Sequence, residues 1–302
     1  MFLNWLNSLP GAAGLGIIWG IMAIGLYISY KILDFSDLTV DGSICTGAAV
    51  CAVLVTSGMP LAVAMLVAVI AGMLAGLVTG LLHTFMGIPA ILSGILTQLM
   101  LWSVNLKIMG KSNIAIPNRQ YDLLVTLGDP IVSILVLLLF VAVLVGLLYW
   151  FFGTELGTSL RATGNNPNMS RAQGININFT KVLGLVISNG VVALSGALLA
   201  QYNGAADINM GRGAIVIGLA AIIIGEAVFS KAFKNFALRL VGVMLGGIIY
   251  YFVYQTVVFL GLDTDLLKML SAIVVAIFLA VPYWKKTYFS KSKKHTGGTK
   301  NA

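Results

Sequence analysis

Leu160-Arg161-Ala162-Thr163-Gly164-Asn165-Asn166-Pro167-Asn168-Met169-Ser170-Arg171-Ala172-Gln173-Gly174 is the heart of residues 154–181, the only long polar interruption in the second half of a very apolar chain. Asn166 followed by Pro167, with Gly174 seven positions on, is the pattern of a short helix: an Asn N-cap, Pro at the first helical position and Gly just past the end. The spacing predicts about two turns. Arg171 falls in the last turn, where a cation suits the helix dipole, and Met169 and Ala172 share one side. Such a helix is too short to be stable alone, so it is rigid only if something packs on it. Spacing alone is met equally well by a solvated loop joining two membrane helices.

The composition around that stretch excludes a soluble domain. Of 302 residues, 59% are hydrophobic and only 9% charged, with 34 glycines. Apolar runs of about 20 residues, the length needed to cross hydrocarbon, recur along the chain. The expectation is an all-α polytopic membrane protein with one transmembrane domain (1–284) and a basic tail (285–302). The first twelve residues carry no Lys or Arg, so no basic n-region of a cleavable signal is expected. The net charge of +8 does not point to nucleic acid, because Lys285, Lys286, Lys291, Lys293, Lys294 and Lys300 gather in the tail, where they anchor against anionic lipid.

Nine spans are predicted (range eight to ten), near 14–33, 42–57, 60–82, 87–106, 131–152, 182–202, 213–229, 239–260 and 267–284. Placing the tail in the cytoplasm and alternating backward puts 154–181 inside and the N-terminus outside. Lys107, Lys111, Arg119, Arg212 and Lys268 then lie outside and the other thirteen basic residues inside, the bias expected of this orientation. Gly72, Gly76 and Gly80 form a small-residue ridge for close helix packing. Span 2 is short and carries Gly42 and Gly47, as a broken or re-entrant helix would. Asp34, Asp37 and Asp41 precede or open it, in the positions of helix caps. The external loop 107–130 is either a landing surface for a soluble partner or a lid over helix ends.

Polar groups within the spans are candidates for a translocation path or gate. Glu226, near the inner end of span 7, is expected either to pair with Lys231, Lys234 or an arginine of the 154–181 loop, or to act at a gate. Asp41, Ser43, Gln98, Asn105, Asn189 and Gln201 either line a route for a polar solute or serve as interhelical glue. Trp102, Tyr250, Tyr251 and Tyr254 either join that route or form interface belts. No enzyme is legible. Gly110-Lys111-Ser112 mimics the end of a phosphate loop, but Asn105 stands where its first glycine is required. Cys45, Cys51, His83 and His295 have no metal-ligand spacing, so no metal or catalytic site is expected.

The run 160–167, then Arg171-Ala172-Gln173-Gly174-Ile175-Asn176, Leu194-Ser195-Gly196-Ala197-Leu198-Leu199-Ala200 and Ile217-Gly218-Leu219-Ala220-Ala221-Ile222-Ile223-Ile224-Gly225-Glu226, resembles the permease subunits of ABC importers of the branched-chain amino acid, ribose and galactose class. Within that class, Ile32-Leu33-Asp34-Phe35, Leu38-Thr39-Val40-Asp41-Gly42-Ser43, Asn105-Leu106-Lys107-Ile108-Met109-Gly110 and Leu199-Ala200-Gln201-Tyr202 are similar to a subgroup associated with import of tryptophan and tyrosine. The resemblance implies a type II importer permease fold in the bacterial cytoplasmic membrane and pairing with a second permease, expected to be an identical copy. It also implies two cytoplasmic ATPase subunits that hold ATP and Mg, and an extracellular substrate-binding protein. The short helix would be the coupling helix, with Arg161, Gly164, Asn165, Asn166, Pro167, Met169, Arg171 and Gly174 as its ATPase-contacting loop. The alternatives are a sugar or nucleoside permease of the same class and an ion-coupled secondary transporter. The latter would carry ionisable residues at the midplane, whereas the acids here cluster near the faces.

Overall fold

The computed structural model describes residues 2–117, 120–230 and 232–260, with isolated positions between 269 and 284. The ninth predicted span and the tail therefore lie, but for those positions, outside the described residues. The helices are α1 (Phe2–Tyr27, continued by a π turn, Ile28–Ile32), α2 (Val40–Thr56), α3 (Leu61–Thr84), α4 (Ala90–Met109), α5 (Pro130–Gly153), α6 (Glu155–Asn165), α7 (Pro167–Ala172), α8 (Ile177–Asn203), α9 (Ala214–Phe229) and α10 (Phe236–Phe259). Among the described residues six helices are long and apolar enough to cross a membrane, and α2 and α9 are shorter apolar helices. Nine full spans are thus not what these residues display. At 17 and 16 residues, α2 and α9 reach only about 25 Å, short of a hydrocarbon core of about 30 Å.

The expected all-α architecture has one exception. Strands β1 (Asn113–Ala115) and β2 (Ala205–Asp207) pair antiparallel, Ile114 opposite Ala206. They sit at the end of the bundle opposite α7, where Ile116 N–H donates to Gly204 O at 2.7 Å. Three-residue strands leave no alternating pattern in a sequence, so only the fold reveals them.

Burial ranks the helices. The most apolar stretches of α1 and α8 are 83% and 72% buried, against 33% for α3 and 28% for α4 and α5. So α1 and α8, with the shorter and largely buried α2, form the centre, and α3, α4 and α5 turn apolar faces outward, toward lipid or another protomer. The predicted glycine ridge does the packing. Gly72 lies against Asn189 and Ala193, Gly76 against Leu185 and Gly80 against Val182, so α3 runs backbone to backbone along α8. Without a hydrophobic drive between helices in lipid, such close approach is the main source of cohesion.

Candidate functional site

The 154–181 segment contains two helices. Thr154 caps α6, its Oγ1 accepting from Gly157 N–H at 3.4 Å. Leu160 and Thr163 are buried on its inner face, and Thr163 Oγ1 meets Thr180 Oγ1 of α8 at 3.0 Å. Gly164 packs on the backbone of Ile32 and Leu33. Arg161 lies with its Cζ 4.2 Å from the Phe236 ring centre and 5.2 Å from that of Phe152. Burial draws its pKa below the usual guanidinium value, though arginine stays cationic. Its place is thus between α6, α5 and α10 and not on α7. Residues 155–165 are helical where the sequence predicts loop, and the Thr154 cap is the signal of it that the sequence carries.

Helix α7 forms as the spacing predicts. Asn166 Oδ1 accepts from Met169 N–H at 3.0 Å, Pro167 opens the helix, and Gly174 takes φ +82°, closing it with Ile175 N–H donating to Ser170 O. Ser170 is fully buried while Asn165, Asn166, Pro167, Met169 and Arg171 are exposed. The result is a capped ledge held through Ser170, with the rest of its surface exposed.

Around this end lie two cavities. Glu226 pairs with Lys31 at 3.1 Å, so its partner is the α1 extension and neither Lys234 nor a loop arginine; Lys231 is outside the described residues. Both side chains are half exposed, so the pair contributes no more than about 1 kcal/mol. It edges a cavity of about 620 Å³ that also meets Phe229, Phe233 and Arg239. A second, of about 920 Å³, lies among Tyr30, Asp34, Arg161, Asn165 and Lys234.

Deeper in the bundle the remaining candidates divide. Asn189, near the middle of α8, donates through Nδ2 to Asp37 Oδ2 at 2.7 Å and accepts from Ser43 Oγ at 2.6 Å. Asp37 also accepts from Thr39 N–H, and Thr39 Oγ1 meets Thr79 Oγ1 at 2.7 Å, tying α2 to α3. Ser43 and Asn189 thus tie α2 to α8 around a fully buried carboxylate. The acids do not all cluster near the faces: the non-helical stretch before α2 carries Asp37 to the depth of mid-α8. The apolar pattern of span 2 gave no sign of this.

Asp41 does not cap its own helix. Its Oδ2 accepts from Gly213 N–H at 3.0 Å and its Oδ1 from Ile215 N–H at 2.9 Å, so it caps α9 and satisfies two of that helix's orphan donors. Asp41, Gln98 and Asn105 come together on a cavity of about 190 Å³, joined by Trp102 and by Arg212, which the sequence reading passed over. Gln201 is apart from them, buried, with Nε2 donating to Ala197 O at 3.3 Å. Tyr250, Tyr251 and Tyr254 gather instead with Trp19 around a cavity of about 390 Å³ that also borders Arg212. Among the described residues no group of three or more His, Cys, Asp or Glu is placed to hold a metal ion.

The chain is 44% identical over 264 residues to a Clostridioides difficile (strain R20291) protein named tyrosine transport system permease protein, covering 87% of this chain and 88% of that one. It is 37% identical over 278 residues to the uncharacterized protein RP368 of Rickettsia prowazekii (strain Madrid E), covering 91% and 98%. It is 28% identical over 295 residues to the probable ABC transporter permease protein YphD of Escherichia coli (strain K12), covering 96% and 85%. No solved structure gives a significant match. Residues 9–281 match the family described as branched-chain amino acid transport system / permease component, and the chain belongs to that family of ABC transporter permeases.

Proposed function

We propose that this chain is the membrane subunit of a binding-protein-dependent importer for an aromatic amino acid, driven by ATP hydrolysis on separate subunits. Membership of the permease family supports the ABC role, and the tyrosine permease relative supports the cargo class. In this reading α7 faces the cytosol and seats in the ATPase, two copies of the chain form the transmembrane unit, and the β1–β2 end receives the external binding protein. ATP and Mg stay on the ATPase. The N-terminus of α1 lies outside and the basic tail inside.

The observation that carries the reading is the build of α7. A capped helix with Ser170 buried and Met169 and Arg171 exposed offers a surface on which an ATPase would pack and so stiffen it. Gly164 against Ile32 and the Thr163–Thr180 contact would pass a push on α7 through α6 to α1 and α8. Closure of the ATPases would thereby rock the helices between outward- and inward-open states.

The test is uptake by proteoliposomes holding the permease, its ATPase and its binding protein. ATP-dependent accumulation of L-tyrosine or L-tryptophan supports the reading. Accumulation of D-ribose alone assigns a sugar permease, and uptake without any ATPase assigns an ion-coupled carrier.

A further inference from the structure

The cavity between α2, α4 and residues 208–212 holds an unsatisfied group. Asn105 is 1% exposed, and neither its Oδ1 nor its Nδ2 has a hydrogen-bond partner. A buried amide left unpaired costs stability, and natural structures keep few of them without a reason. Asn105 lines the cavity beside Asp41, Gln98, Trp102 and Arg212.

These groups form a set with a definite chemistry. The two backbone donors from α9 fix the Asp41 carboxylate, and each of its oxygens keeps further acceptor capacity. Among the described residues the one ion pair is Lys31–Glu226, so Asp41 and Arg212 line the same space without a direct ion pair between them. One anion, one cation, two amides and an indole match a solute that is itself cationic and anionic at adjacent points and carries an apolar ring.

We propose that this cavity is a transit subsite for the head group of a zwitterionic aromatic amino acid. Asp41 meets the α-ammonium, Arg212 the α-carboxylate, Trp102 lies along the ring, and the Asn105 amide, covered in this conformation, turns toward the head group to bond it. The assignment rests on the aromatic amino acid reading and deepens it. A sugar can hydrogen-bond these groups but offers neither Asp41 nor Arg212 an opposite charge, so the charge-assisted bonds favour the zwitterion.

The test heats the purified full chain in lipid nanodiscs and measures what stays folded by size exclusion. Millimolar L-tryptophan should raise the melting temperature, whereas tryptamine, which lacks the carboxylate, and D-ribose should not. Asn105→Leu and Arg212→Gln should each abolish the shift. Without ligand, Asn105→Leu should melt no lower than the parent, because it removes an unpaired amide. In the complete transporter both variants should slow L-tyrosine uptake at least tenfold. Equal shifts in the variants, no shift in the parent, or a lower ligand-free melting temperature for Asn105→Leu overturns the subsite. If the parent imports L-tyrosine and the variants do so equally fast, the subsite falls and the permease reading stands. If the parent imports only D-ribose, that reading falls first.

Discussion

Asn189 on α8 donates to the buried carboxylate of Asp37 at 2.7 Å, joining the middle of the central helix to the non-helical stretch that leads into α2. Ser43 and Thr39 close the arrangement, so one amide holds three elements in register. Asn189→Leu would leave Asp37 with only its Thr39 donor and strip Ser43 of its acceptor. The expected loss is about 2 kcal/mol or more, since hydrogen bonds to charged groups are the stronger kind. Thermal unfolding of the purified chain measures it. Asp37→Asn should also destabilise, because its Nδ2 would face either Thr39 N–H or Asn189 Nδ2, donor against donor.

A bulky residue on the glycine ridge should act more severely. Gly76→Leu would push α3 off the Leu185 and Val186 backbone, where the two helices touch backbone to backbone. Overpacking of this kind costs about 3 kcal/mol, and here nothing but backbone stands opposite to relax. The expected outcome is loss of folded protein on extraction from the membrane, while Gly146→Leu, with nothing near its position, should extract normally.

Arg161 and Arg171 look alike in sequence and should behave oppositely. Arg161 is stacked on Phe236 and Phe152, so Arg161→Lys loses planar stacking worth about 1 kcal/mol and lowers the melting temperature. Arg171 is exposed on α7. Arg171→Glu should leave melting unchanged and lower the uptake obtained per ATP hydrolysed.

The cap of α7 offers a graded version of the same test. Asn166→Ala removes the acceptor for Met169 N–H and weakens this short helix by about 1 kcal/mol. Uptake per ATP should fall, and Asn166→Asp should restore it, because Asp caps as well as Asn.

Much of this was legible in the chain. Asn166, Pro167 and Gly174 carry their conformational preferences in their own covalent structure, so α7 could be drawn before any fold was known. The ridge at Gly72, Gly76 and Gly80 was equally local. What stayed hidden depends on distant partners. Asp41 reads as a cap for the helix it begins, yet it caps α9, because α9 starts at the same depth in the bundle. Glu226 had cations near it in sequence but is paired with Lys31 from the other end of the chain. Arg212 reads as a charge in an external loop, and only the approach of residues 208–212 to α2 and α4 brings it beside Asp41 and Asn105.

Asn168, exposed at the crest of α7, reports directly on the proposal that a partner grips this helix from the cytosol. The chain has just two cysteines, both buried, so Cys45→Ala and Cys51→Ala clear the background for Asn168→Cys. A membrane-impermeant maleimide should label that thiol in inside-out vesicles, fail to label it in intact cells, and lose access once the ATPase subunit is assembled. Labelling from outside intact cells, or labelling indifferent to the ATPase, would contradict it.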